Sequence, residues 1–315
     1  WGDSFIRVFG HDYHYKIFRL KDWVDLTHPA DRHLKDEEWQ VFMNNPHQDR
    51  WENQFRLKRS NGTFAYVEEH AYMVRDVLGN PVRMVGIIRD RTEQYTTQVR
   101  KQAEERIAKQ FRKDLPLQEI LELVVAELLG VGGWSTGEIW LANKETDQVF
   151  LAAASGLWKE SNLYEKDPQS ILALSDRNGL PSLIWEHHEL VFWNNLPEED
   201  SFVRKEWAKL AKLHSAVGFP LLFGNQILGV CLLFGNDEFV KNGARDTILQ
   251  ELIHFIGAEL RRKQQEEELL LFFNYSPDIL AIASPKGYFT KVNPAFCQLL
   301  GYTEEELTQV PFIEY

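Results

Sequence analysis

The sequence predicts an α+β protein, with small antiparallel sheets, flanking helices and linker helices between them. Two observations predict this class. Residues 51–90 alternate apolar and polar positions between Gly-containing turns, as a three-strand meander does. Residues 115–260 place two strongly apolar helical patterns around five or six short strands, which describes helices packed on an antiparallel sheet.

The front begins with helical pieces. Trp51 to Leu57 then reads as a strand with Trp51, Asn53, Phe55 and Leu57 on one face. Asn61-Gly62 marks a hairpin, because this pair adopts positive φ at low cost. Thr63 to Val74 is the return strand, Asp76 to Asn80 a second turn, and Pro81 to Asp90 the third strand. Three strands need a further partner to close a core. Residues 92–113 form a polar helix with a thin apolar stripe, Val99, Ala103, Ile107 and Phe111. That stripe suits either a solvated connector or a short parallel coiled coil.

A second helix from Leu115 carries a wide stripe through Leu129 and is expected to stop at Gly130, Gly132 and Gly133. Strands follow at Gly137–Ala142 and Gln148–Ala154, joined through Lys144 to Asp147. Gly179 to Phe234 is the densest stretch. It reads as a helix at Leu183–His187, a strand at Glu189–Trp193, an amphipathic helix at Ser201–Leu213, and strands at Ser215–Phe223 and Gln226–Phe234. Asp246 to Leu260 is a closing helix, and the charge run Arg261 to Glu268 reads as its solvated extension.

The tail repeats the front. At a constant offset of 291, Phe296 falls on Phe5, Leu299 on Val8, Leu300 on Phe9 and Gly301 on Gly10. Asn293 is a good N-cap with Pro294 at the first helical position, and Thr303 with Glu306 predicts a capping box. Residues 276–292 read as the strand–turn–strand hairpin that the front lacks.

Length and charge limit the function. At 315 residues there is room for two or three domains. A net charge of −12 disfavours nucleic acid and anionic lipid as partners. Cys231 and Cys297 lie apart in apolar runs, as reduced thiols of a cytoplasmic protein do. No run approaches the roughly 18 apolar residues of a membrane helix, and no signal peptide is visible. The chain opens on Trp1 and is expected to be a piece of a longer protein.

Trp23–Arg32 (WVDLTHPADR), Phe55–Val67 (FRLKRSNGTFAYV) and Asp76–Glu93 (DVLGNPVRMVGIIRDRTE) resemble the later part of a PAS domain. Its usual Asp-Ile-Thr ending stands here as Asp90-Arg91-Thr92. The tail resembles the start of a second PAS domain. Gly179–Trp193 (GLPSLIWEHHELVFW) and Phe219–Phe234 (FPLLFGNQILGVCLLF) resemble a GAF domain. The domains expected are 1–93 (PAS), 94–113 (linker helix), 114–262 (GAF), 263–268 (helical linker) and 269–315 (truncated PAS).

The resemblance implies a sensory region of a signal-transduction protein, most often a sensor histidine kinase, paired as a homodimer through its linker helices. A diguanylate cyclase or phosphodiesterase sensor, or a dimerisation scaffold binding no ligand, remain alternatives. It also implies concave sheet faces able to hold a small molecule. The pocket residues expected are Ile139, Leu141, Trp193, Phe219 and Leu221, and Asp90 with Thr92 is the expected coupling pair.

No catalytic residue, metal set or cofactor is predicted. His187-His188 reads as a turn before a strand, and His28-Pro29-Ala30-Asp31 as a helix start with Asp31 as its cap. Cys231 reads as core. Cys297 lacks the Asn-Cys-Arg setting of flavin-adduct photoreceptors, and His214 lacks the preceding Cys of bilin-binding relatives. Gly235 to Phe239 scrambles the order that cyclic-nucleotide GAF domains carry.

Overall fold

The computed structural model describes residues 3–11, 20–143, 148–157, 171–173, 179–200, 202–236 and 243–314. The turn expected at Lys144 to Asp147 and the segment Asp237 to Phe239 lie outside them. The chain divides into two compact units, Trp1–Ile256 and Gly257–Tyr315.

The first unit opens with helices α1 (Asp3–Phe9), α2 (Leu20–Leu26) and α3 (His33–Asn44), followed by strands β1 (Arg50–Lys58), β2 (Phe64–Arg75) and β3 (Pro81–Asp90). The sheet order is β1-β2-β3, antiparallel throughout. Gly62 takes φ +87° in the Asn-Gly turn and Gly79 φ +84° in the next, the conformations that the turn residues predicted. Trp51, Phe55 and Leu57 are buried on one face of β1, as the alternation requires. The helices cover that face. Phe5, Phe9 and Trp23 join Phe55, Leu57, Ala65 and Val67 in one core cluster, and Phe42, Trp51 and Met73 form a second. Arg75 reaches back to the carbonyls of Phe42 (2.9 Å) and Met43 (3.1 Å), satisfying the end of α3.

Helix α4 (Thr92–Phe111) packs along α5 (Leu117–Gly132), and Arg106 pairs with Glu127 across them at 3.0 Å. Ala103, Ile107 and Phe111 are fully buried within this one chain. The thin stripe is therefore covered by the chain itself. Helix α5 runs through Gly130 and Gly132 and ends at Gly133 (φ +69°), the last of the three glycines expected to stop it. A positive-φ residue is what terminates the helix, and the two earlier glycines stay helical.

The central sheet contains β4 (Thr136–Asn143), β5 (Gln148–Gly156), β6 (Ile171–Ala173), β7 (Val191–Asn194), β8 (Ser215–Phe223) and β9 (Gln226–Gly235). Its order is β6-β5-β4-β9-β8-β7, with every pairing antiparallel. Helices α6 (Gly179–His187) and α7 (Lys205–Ala211) lie in the connections. The helix expected over Ser201–Leu213 is thus shorter. Lys212 turns left-handed (φ 54°) and the Leu213 N–H returns to the Ala208 carbonyl at 2.8 Å, a Schellman-type stop that buries Leu213.

Helix α8 (Gly243–Tyr275) continues through the charge run, as expected of an extension of the closing helix, but the run is not wholly solvated because Lys263 within it is buried. The second unit adds the hairpin β10 (Ala281–Ala283) and β11 (Phe289–Val292), then α9 (Pro294–Leu300) and α10 (Glu304–Gln309). The internal repeat is exact in length: α1 and α9 each span seven residues at the offset of 291. Each ends on a left-handed glycine, Gly10 (φ +76°) and Gly301 (φ +74°), whose N–H closes on Ile6 or Cys297 at 2.8 Å. Asn293 caps α9 by accepting the Phe296 N–H, and the Thr303–Glu306 capping box is formed.

Candidate functional site

The end of β3 and the start of α4 are tied by one carboxylate. Asp90 Oδ1 accepts hydrogen bonds from the Thr92 N–H (2.9 Å) and hydroxyl (2.6 Å), while Oδ2 accepts from Arg59 Nη2 at 2.5 Å. Arg59 Nη1 also donates to the Val8 carbonyl near the end of α1, at 2.6 Å. Thr92 Oγ1 accepts the Tyr66 N–H at 3.0 Å. Burial raises the Asp90 pKa, but the hydrogen bonds from Thr92 and Arg59 outweigh it and hold the group below its ordinary 3.8. An ionised carboxylate at a helix N-terminus is also favoured by the helix dipole. The structure thus brings the expected pair Asp90 and Thr92 into one network. Sequence reading missed Arg59 and Tyr66, whose partners lie across the sheet.

On the outer face of the same sheet, a trough of about 600 Å³ runs between the strands and the first turn of α4. Arg56 binds Asp31 through Nε (2.9 Å), Nη2 (2.6 Å) and its backbone N–H (2.9 Å). Burial raises the Asp31 pKa, and the bonds from Arg56 win, leaving it lowered. Asp31 is therefore not the cap expected of it. The cap is His28, whose Nδ1 accepts the Ala30 N–H at 3.2 Å, because β1 claims the Asp31 carboxylate. Burial, then the Arg56 charge, lowers the His28 pKa and favours the neutral ring this cap needs.

The trough also holds Tyr66 and Tyr95, stacked at 3.7 Å and 15°. Burial, and then the hydrogen bond to Tyr66, push Tyr95 up to about 12. Ultraviolet titration should resolve one phenol with an apparent pKa near 12, and Tyr66→Phe should bring it back toward 10. A raised folded-state pKa gives stability that is complete below 10 and lost as pH rises toward 12. An unchanged titration in the variant would reject the pairing.

The concave face of the front sheet carries a groove of about 520 Å³, with Phe5, Val8 and Phe9 of α1 on one wall and Ala71, Met84 and Gly86 of the sheet on the other. Glu69 at its margin accepts a hydrogen bond from Trp51 Nε1 at 3.1 Å.

In the central sheet the five expected pocket residues are all buried. They do not share a face. Ile139 pairs with Cys231, which pairs with Phe219, and Leu141 with Gly229 and then Leu221. The neighbouring Gly137, on the Ile139 face of β4, points at Val125 of α5. These four therefore share the face that α5 covers. Trp193 pairs with Ala216 and belongs to the opposite cluster with Trp140, Phe202, Phe234, Leu180 and Ile184. That second face also holds Glu138, fully buried, whose carboxylate accepts from Trp140 Nε1 (2.7 Å) and pairs with Arg204 (2.8 Å). A glutamate inside the apolar strand GEIWLA was the signal available for it. Its partner in a distant connection was not legible.

Cys231 is fully buried and its thiol is pushed well above its ordinary value by burial and then by Glu138. It is core, as expected. His187 ends α6 and His188 follows with φ 59°, both exposed in the turn expected for them. Among the described residues no group of three or more His, Cys, Asp or Glu is placed to hold a metal ion, and no helix is long and apolar enough to cross a membrane.

A PAS fold model matches residues 1–88, a GAF domain model residues 114–260, and a PAS domain model residues 267–314. A methyl sulfide methyltransferase-associated sensor of Methanosarcina acetivorans is 24% identical over 305 residues, covering 90% of this chain. The chain spans 29% of the length of that relative. Among solved structures, the GAF domain of a Coxiella burnetii phosphoenolpyruvate-protein phosphotransferase superposes with a TM-score of 0.45 at 17% identity, over 55% of this chain and 96% of its own. The equivalent Acinetobacter domain gives 0.42 at 17%, over 54% and 97%. The chain carries a PAS fold, a GAF domain and a further PAS domain in tandem, the arrangement that the sequence resemblance pointed to.

Proposed function

We infer that this region detects a small ligand and relays its presence through helix α4 to the output of a sensor histidine kinase. The observation that carries the relay is the continuous path from groove to helix. Val8 lines the groove, its carbonyl is held by Arg59, Arg59 holds Asp90, and Asp90 holds the first residue of α4. A ligand that shifts α1 changes the position of Arg59 and so the support of α4. Two packings of such a network are what a switch needs. The relative named as a sensor supports the sensing role.

A cytoplasmic homodimer is part of the same reading. Leu269 (68% exposed), Leu271 (57%), Phe272 (67%) and Tyr275 (81%) crowd the last turns of α8. An exposed apolar helix end of this kind supports pairing with a second copy.

Arg59→Met tests the relay. It should raise amide exchange in the first turn of α4 about fivefold, the equivalent of about 1 kcal/mol for a part-exposed charged hydrogen bond. Exchange within error of the parent chain would rule out the path. The kinase output is tested by the reading frame beyond Tyr315: a His-Glu-x-Arg-x-Pro box supports it, and a cyclase or phosphodiesterase motif rejects it.

A further inference from the structure

Resting on the relay through helix α4, we propose that Arg100 is a releasable brace by which the front domain acts directly on α8, without passing through the central sheet. Arg100 lies on α4 and pairs with two carboxylates, Glu104 on its own helix at 2.8 Å and Glu251 on α8 at 2.5 Å. Glu251 is thus joined to a helix whose first residue is held by the Arg59–Asp90 network.

The two helices start level and run the same way. Arg100 stands eight residues after Thr92, which opens α4, and Glu251 stands eight residues after Gly243, which opens α8. Each is therefore about 12 Å from its helix start. At the top, a Cβ on Gly243 would lie 3.9 Å from Thr63 Cγ2, in the turn between β1 and β2. Behind burial and nearer partners, the Arg245 charge also acts on Tyr95 of α4 and on His28. The first turns of α4 and α8 are neighbours, and the Arg100–Glu251 pair fastens the helices about two turns further on. The apolar side of the same stretch of α8, Ile248, Leu249, Leu252 and Ile256, is buried. Glu251 thus sits at the margin of a packed helix.

Glu104 makes the brace reversible. Arg100 keeps Glu104 when it lets Glu251 go, because the two ride on α4 one turn apart. The bridge between the helices is part-exposed, Arg100 at 26% and Glu251 at 52%, so opening it costs little and water receives the freed carboxylate. Two arrangements of similar free energy are what a population shift requires. Loosening the first turn of α4 by way of Asp90 and Thr92 moves Arg100 with its helix, and the brace opens. Helix α8 then loses a contact near its start, and from there it continues unbroken to Tyr275. The central sheet is not a required station on this path.

The test is amide exchange on the full 315-residue chain. Arg59→Met, which loosens α4, should also raise exchange in residues 243–251 about twofold, while β9 amides stay at parent rates. Glu251→Gln keeps the shape and removes the charge, and by itself should raise the same α8 amides about twofold. Added to Glu251→Gln, Arg59→Met should still act on α4 and add nothing in α8. An additive rise in α8 in that double variant overturns the brace. So does a rise in β9, which would route the change through the central sheet. A rise in α4 with α8 unmoved overturns it too, and leaves the α4 relay standing. No change in either helix removes the relay itself, and the brace with it.

Discussion

Gly229→Ala is expected to destabilise the central domain by about 3 kcal/mol or more, a large loss for one methyl group. Gly229 lies on β9, the strand between β4 and β8, opposite Leu141 on one side and Leu221 on the other. A Cβ there would stand 2.3 Å from the Trp140 carbonyl oxygen and 3.0 Å from Leu141 Cδ2. The oxygen belongs to the β4 backbone and cannot retreat without opening the sheet. Gly224→Ala is the control. It lies in the β8–β9 turn with nothing within 4 Å of the added atom, so only its φ of +56° resists and the cost should stay near 1 kcal/mol. Denaturant titration followed by tryptophan fluorescence, with exchange of β9 amides to localise the loss, measures both. Equal and small effects would mean that the sheet yields at this point.

The second large effect concerns Glu138. Glu138→Ala leaves Arg204 and Trp140 Nε1 without their acceptor at a position with no solvent access. Breaking a buried pair from one side should cost about 3–5 kcal/mol. Replacing both partners together, Glu138→Leu with Arg204→Met, removes the charges and keeps the volume. That double variant should recover most of the loss and come within about 1 kcal/mol of the parent. Such recovery would show that the pair is not needed for stability. A double variant as unstable as Glu138→Ala would instead make Glu138 and Arg204 part of the framework.

What was legible in this sequence was local. The Asn61-Gly62 hairpin, the αL glycines that end α1 and α9, the Asn293 cap and the Thr303–Glu306 box each depend on φ preferences and hydrogen bonds within a few residues. The wide stripe of α5 and the alternation of β1 likewise follow from one side-chain period. The Asp90–Thr92 pair was legible too, because both residues sit at one strand end.

The tertiary structure alone decided what depends on register between distant segments. Alternation says that Ile139 and Leu141 share a face, and it cannot say whether Trp193 joins them. The order β4-β9-β8-β7 and its pairings put Trp193 on the other side. The same register carries Arg59 to Asp90 and makes Arg56, not a helix start, the partner of Asp31. Glu138 stood out in its strand by type, yet only the folded chain brings Arg204 against it. Period and turn chemistry act over a few residues. Charge compensation in a core acts over a few ångströms, and those are assembled only when the sheet closes.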